Sequence, residues 1–264
     1  MMSSTSDHHL AIDIGNTAIK VAVFHAGQMI GPVHRFSNQE WKVADRLVTN
    51  HGVKKIIYST VANVPPAKWI DKWNNAGILL LRLQPGLPLP FHSEYETTET
   101  LGQDRIAAVA GSLALTTVSA PAIAPSVNPP AYLIVDAGTC MTLDLIDGDR
   151  RYRGGNISPG LRMRLEAMHR FTARLPLPEP GPTPGVLGLS TTAALRHGAQ
   201  MGLVYEVEGL YFRLRAIHPD LRLLLTGGDH EWLAEKLSVP FIVYPDLVLS
   251  GLHQILSFYV RNES

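Results

Sequence analysis

Leu10-Ala11-Ile12-Asp13-Ile14-Gly15-Asn16-Thr17-Ala18-Ile19-Lys20-Val21-Ala22-Val23-Phe24 recurs in abbreviated form 123 positions later, as Leu133-Ile134-Val135-Asp136-Ala137-Gly138-Thr139-Cys140-Met141-Thr142-Leu143-Asp144-Leu145-Ile146. Each copy reads as an apolar strand, an Asp-x-Gly turn bearing a threonine, and a second strand, so each half of the chain opens on a β-hairpin. One such turn alone supports two readings, ordinary hairpin chemistry or a cradle for phosphate. The second copy favours the cradle, and two such halves facing a cleft make a nucleotide site.

Gly15 and Gly138 let the backbone approach a bulky anion. Thr17 and Thr139 add hydroxyl donors beside the turn amides, so each loop offers several donors to phosphate oxygens. Asp13 and Asp136 repel phosphate, and a carboxylate in each loop therefore implies a cation between protein and nucleotide.

Lysine plus arginine and aspartate plus glutamate balance at 23 each over 264 residues, 45% of which are hydrophobic. A sizeable core is available, and no basic field draws in nucleic acid or an anionic membrane; the expected partners are small molecules. The single cysteine, Cys140, excludes an internal disulfide and any clustered-cysteine metal site, and is expected to be a small buried side chain. Met1 to His9 lacks the basic-then-apolar order of a signal peptide. No apolar run approaches the roughly 20 residues of a spanning helix, so the expected compartment is the cytoplasm.

Between and beyond the hairpins, strands alternate with helices, which argues an α/β chain. The Ala26-Gly27-Gln28 turn follows the first hairpin. Helices are predicted over Gln39–His51, from Pro65, over Leu101–Leu115 and Leu161–His169, and from Ser190 and Ser250. Strands are predicted over Lys55–Val61, Ile78–Leu83, Leu221–Leu225 and Ile242–Tyr244. Trp41, Trp69 and Trp73 lie at helical spacing and read as core. Ala120–Pro130, with four prolines and no charge, marks the boundary between a first lobe over 1–119 and a second over 131–264. A second proline cluster, Pro176–Pro184, reads as a mobile flap.

Gly102-Gln103-Asp104-Arg105 opens a helix. The carboxylate suits the positive end of the dipole and the guanidinium does not, so this is either a cap with a solvated arginine, or an arginine holding a substrate carboxylate beside an Asp104 that accepts a proton. Gly154-Gly155-Asn156-Ile157-Ser158-Pro159-Gly160 brings backbone close to a ligand or to a neighbouring strand. Thr226-Gly227-Gly228 either turns strand into helix or offers bare backbone to an adenine ring. The histidines share no ligand spacing. No Gly-x-x-x-x-Gly-Lys-Ser/Thr occurs, nor a Gly-x-Gly-x-x-Gly after the first strand, which removes the P-loop and the usual dinucleotide readings.

Taken in order, Asp13-Ile14-Gly15-Asn16-Thr17 with Lys20, Gly102-Gln103-Asp104-Arg105, Asp136-Ala137-Gly138-Thr139 with Thr142, Gly154-Gly155 with Ser158-Pro159-Gly160, Thr191 with Ala194 and Gly198, Glu208-Gly209-Leu210, and Thr226-Gly227-Gly228-Asp229 resemble the type III pantothenate kinases. The resemblance spans about Leu10 to Leu256. It implies two ribonuclease-H-like lobes around an ATP cleft, the fold shared by acetate and sugar kinases, heat-shock chaperones and actin. It further implies a homodimer that phosphorylates pantothenate to 4'-phosphopantothenate, the first step of coenzyme A synthesis, using ATP, magnesium or another divalent metal, and potassium or ammonium. Carried onto this chain, Asp13, Ile14, Gly15, Asn16, Thr17, Ala18, Ile19 and Lys20 form the first phosphate loop, with Asp13 reaching magnesium through water. Thr139, Gly227 and Gly228 also contact ATP, and Asp136 holds the monovalent cation. Asp104 is the general base, and Tyr95, Gly102, Gln103, Arg105 and Thr191 join it around pantothenate, with Thr192 as a neighbour onto which the Thr191 role can slip.

Two departures stand out: Cys140-Met141 replaces the small residues usual after Gly-Thr, and Ala120–Pro130 is longer than the usual connection. The competing expectations are a kinase of the same superfamily acting on another small hydroxyl compound, and a regulatory accessory protein without catalysis.

Overall fold

The computed structural model describes residues 7–15, 18–60, 64–116 and 129–263. The chain divides into two compact units, Met1–Pro125 with Asp246–Ser264, and Ser126–Pro245. The first contains β1 (His9–Ile14), β2 (Ile19–His25), β3 (Gln28–Phe36), α1 (Lys42–His51), β4 (Lys55–Thr60), α2 (Ala67–Asn75), β5 (Leu79–Arg82), the two-residue β6 (His92–Ser93) and α3 (Gln103–Ser112). The second contains β7 (Tyr132–Ala137), β8 (Cys140–Ile146), β9 (Arg151–Pro159), α4 (Leu161–Arg170), α5 (Thr191–Arg215), β10 (Arg222–Thr226), α6 (His230–Ala234) and β11 (Phe241–Val243). The closing helix, α7 (Leu247–Glu263), returns to the first unit.

The repeat read in the sequence is a repeat of topology. In the first unit the strands lie in the order β3-β2-β1-β4-β5, and in the second β9, β8, β7, β10 and β11 lie side by side in that order. In each, an antiparallel meander is followed by two strands parallel to its first. Asp13 and Asp136 occupy the fifth position of β1 and β7, and their parallel neighbours are Ser59 on β4 and Thr226 on β10.

Alternation decides which face each strand residue takes. Leu10, Ile12 and Ile14 of β1 join Val21 and Val23 of β2 and the helical residues Ala44, Leu47, Val48 and Trp73 in one core. Trp41 and Trp73 are buried as expected. Leu133, Val135 and Ala137 of β7 join Ala199, Leu203, Val204, Val207 and Tyr211 of α5 in the other. α1 begins at Lys42 rather than Gln39 because the Glu40 carboxylate accepts from the Ser37 hydroxyl and amide, at 2.7 and 3.0 Å, holding the preceding turn.

The assignment of α7 to the first unit differs from the sequence division, which carried the second lobe to 264. Its cause is close packing on α3. A Cβ on Gly251 would stand 1.7 Å from the Ala107 carbonyl oxygen, and one on Gly111 would stand 2.3 Å from that of Leu247. These two glycines let the helix backbones meet, a partnership that chain order does not announce. The proline segment is also different from the predicted mobile flap. Arg196 Nε donates to Glu179 O at 2.8 Å, His197 Nε2 lies 3.2 Å from Pro184 O, and Gln200 exchanges two hydrogen bonds with the Gly181 peptide, so three side chains of α5 tie the segment down. Of the proline-rich boundary Ala120–Pro130, positions 120–128 lie outside the described residues.

α7 brings a titratable group into the core. His253 is 4% exposed, stacks on Phe24 at 4.3 Å between ring centroids, and lies 5.3 Å from His9. Burial, aided by the His9 charge, lowers the His253 pKa to about 3. For His9, burial and then Lys55 and His8 lower it to about 4 against the opposing Asp7. Above pH ~6.5 both rings are neutral whether folded or not and contribute nothing to the pH dependence. Below it the unfolded chain takes up protons that the folded one refuses, so stability falls until the pH passes the folded values. For His253 the loss is on the order of 4 kcal/mol by pH 3. Urea unfolding at pH 7.5 and 5 should show this slope, and His253→Phe, which keeps the stack, should reduce it; an unchanged slope would remove His253 as its source.

Candidate active site

In the first unit the turn between β1 and β2 is closed by Gly15 N–H donating to Ala18 O at 3.2 Å. Asn16 and Thr17 lie outside the described residues. Asp13 faces Lys20 across the hairpin register and accepts from Ser59 Oγ at 3.0 Å. Burial raises its pKa; the Ser59 hydrogen bond and the Lys20 charge act against that rise, and the Asp104 charge adds to it. A partly buried carboxylate near a second carboxylate suits a cation, so the residues present fit the magnesium that the sequence implies.

The loop before α3 gathers the Gly102–Arg105 group. Gly102 is the N-cap of α3, and a Cβ there would lie 2.5 Å from Asp104 Oδ1. The same oxygen accepts the Arg105 N–H at 2.9 Å. Gln103 Oε1 accepts the Thr60 N–H at 2.7 Å, tying the start of α3 to the end of β4. Arg105 is 4% exposed, so the solvated-arginine reading does not hold. Its guanidinium lies 5.4 Å from the centre of the Tyr95 ring, within cation–π range. Tyr95, Gly102, Gln103, Asp104 and Arg105 are therefore brought together, and Asp13 is near enough to feel Asp104.

In the second unit Gly138 N–H donates to Cys140 O at 3.2 Å, closing the second loop. Asp136 and Thr139 stand at its two sides, Thr139 exposed. Cys140 is exposed rather than buried, because it begins β8 at the mouth of the turn. Two glycines support this loop from distant segments. Gly160 N–H donates to Thr139 O at 3.1 Å, and a Cβ on Gly160 would stand 2.3 Å from Gly138 O. Gly227, at φ +93°, leaves no room for a side chain, since its Cβ would stand 2.4 Å from Asp136 Oδ1. Asp229 N–H completes the join by donating to Ala137 O at 2.8 Å. Gly160 and Gly227 thus both act in close packing, while Gly154 and Gly228 have open space where a Cβ would be. Thr191 is exposed in the first turn of α5, which Ser190 caps by accepting from Ala193 N–H. Among the described residues no group of three histidine, cysteine or acidic side chains is placed to hold a metal ion, and no helix is long and apolar enough to cross a membrane. Sequence reading missed Ser59, whose only signal is its register opposite Asp13.

Solved structures resemble this arrangement along nearly its full length. A Campylobacter jejuni protein named for the Baf family of transcriptional activators aligns with a TM-score of 0.55 at 21% identity, covering 96% of this chain and 99% of that one. The activator of 2-hydroxyisocaproyl-CoA dehydratase from Clostridium difficile aligns with a TM-score of 0.51 at 10% identity, covering 97% and 98%. The fold is therefore that of the actin-like ATPases and sugar kinases. Within that class, the sequence model of the type III pantothenate kinase family matches residues 9–213, and a type III pantothenate kinase of Bacteroides fragilis is 38% identical over 95% of this chain and 98% of its own. The chain belongs to the type III pantothenate kinase family.

Proposed function

We propose that this protein transfers the γ-phosphate of ATP to the primary hydroxyl of pantothenate, giving 4'-phosphopantothenate. The observation that carries the reading is the grouping of Asp104, Arg105 and Tyr95 near a partly buried Asp13, in a chain of this family. Asp104 accepts the hydroxyl proton during in-line attack, while Arg105 and Tyr95 position the acceptor. Thr191 or Thr192 supplies a further pantothenate contact. Ile14 to Lys20 and Thr139 donate to the triphosphate, and Gly227 and Gly228 form the adenosine side of the site. Asp13 would hold magnesium through water and Asp136 a potassium or ammonium ion, and the chemistry such cations would supply is neutralisation of phosphate charge. Such transfers have loose transition states, so positioning and neutralisation supply most of the rate.

Homodimerisation belongs to the same reading. Gly198, Gly202, Tyr205, Gly209 and Phe212 recur along α5 at four- and three-residue steps, with Tyr205 and Phe212 53% and 58% exposed. That spacing suits a helix of a second copy, and a sedimentation coefficient of a single chain would remove it.

The test is ADP release from ATP and magnesium by the purified protein, with and without pantothenate and with potassium or ammonium present or absent. Release that needs both pantothenate and the monovalent cation is the expected result. Release only with other hydroxyl acceptors would reassign the substrate, and none from folded, ATP-binding protein would return the accessory reading.

A further inference from the structure

The carboxyl end of β4 is tied both to Asp13 and to the start of the helix that carries Asp104. Ser59, 1% exposed and in parallel register with Asp13, donates its hydroxyl to Asp13 Oδ1 at 3.0 Å. The next residue, Thr60, donates its backbone N–H to Gln103 Oε1 at 2.7 Å, and Gln103 directly precedes Asp104 in the first turn of α3. Two adjacent residues of one strand thus reach the two carboxylates, one directly and one through the helix start.

We infer that Ser59 and Gln103 are positioning residues that fix the separation of Asp13 and Asp104, rather than groups that touch substrate. This rests on the kinase reading above for the roles of the two acids, and it takes Gln103 out of the pantothenate contacts. Several physical points support it. Ser59 is too buried to meet a ligand, and a hydroxyl donating to a carboxylate fixes the direction of its remaining lone pairs. The oxygen of Gln103 already accepts a backbone N–H from the end of β4. An in-line transfer is sensitive to displacements of about 1 Å, which cost on the order of 10²-fold.

The experiment compares Gln103→Met, Ser59→Ala and Ser59→Thr with the unaltered protein. Gln103→Met keeps length and helix propensity while losing the acceptor. Its kcat should fall roughly 10- to 100-fold with KM for pantothenate within about threefold. A rise of that size in the pantothenate KM at unchanged kcat would make Gln103 a substrate contact and overturn the inference. Ser59→Ala should weaken binding of manganese-ADP, followed by the manganese electron spin signal, by roughly tenfold. Ser59→Thr, which keeps the hydroxyl, should restore it. Equal affinity in all three proteins would overturn the Ser59 role. The binding measurement needs no turnover: if the unaltered protein releases no ADP with pantothenate, the kinase reading fails while the Ser59 comparison still decides its own question. If Gln103→Met does not fold, the Ser59 pair carries the test.

Discussion

Asp104→Asn should lower kcat by roughly 10²- to 10⁴-fold, the usual range for loss of a general base, while leaving KM for ATP and pantothenate within about threefold. Asparagine keeps the oxygen that accepts the Arg105 N–H and fits the space left by Gly102. It also keeps a polar side chain in the first turn of α3, so the helix start and the Tyr95–Arg105 pair are undisturbed. What it loses is the ability to take a proton. Nucleotide binding should survive for a further reason: the Asp104 charge raises the pKa of Asp13, and removing it eases ionisation of the group proposed to hold magnesium. Steady-state kinetics beside magnesium-ADP titration separates the outcomes. Retained kcat would take Asp104 out of the base role, and lost nucleotide binding would make it part of the ATP site instead.

Gly102→Ala reaches the same carboxylate from the other side. The new methyl meets the movable end of Asp104 at 2.5 Å, so the carboxylate turns away while the helix stays. The expected result is a kcat loss smaller than that of Asp104→Asn, at an unfolding midpoint within about 2 °C of the parent. An unchanged kcat would show that the carboxylate does not depend on the gap.

The fold is legible where local chemistry repeats itself. Alternating apolar residues around Asp13 and Asp136, each followed by a glycine turn, define both hairpins, and the structure places the two aspartates at equivalent register positions. Ser190 announces α5 because a serine before a helix has a local job, accepting a first-turn N–H. The illegible parts are those whose cause is a distant partner. Nothing local distinguishes Gly227 as filler between β10 and the Asp136 carboxylate, or Gly160 as support for Thr139. Residue type alone makes Cys140 a buried side chain, yet its place at the mouth of a turn exposes it. The proline segment reads as mobile because prolines cannot form ladders; its anchors, Arg196, His197 and Gln200, lie in the helix that follows. α7 follows the second unit in sequence and packs on the first because its glycine matches that of α3.

That match makes Gly251→Ala the most damaging small substitution expected in the scaffold. In an exposed helix the change would stabilise by about 1 kcal/mol through helix propensity. Here the added methyl would stand 1.7 Å from the Ala107 carbonyl oxygen, 2.6 Å from its carbon and 2.8 Å from the Gly111 nitrogen. All three are backbone atoms of α3, so no rotamer change relieves the contact and one helix must move as a body. Overpacking typically costs roughly 1–3 kcal/mol and occasionally more. With three backbone atoms inside contact distance the upper end applies, roughly 3 kcal/mol net, or about 10 °C in the unfolding midpoint. If α7 lifts, His253 loses its stack on Phe24 and gains water, so the variant should also lose part of the acid sensitivity predicted above. If α3 shifts instead, Asp104 shifts with it, and kcat should fall at temperatures where the protein is still folded. Calorimetry with kinetics at low temperature distinguishes the two, and a midpoint equal to the parent's with normal kcat would show that the crossing is looser than these contacts require.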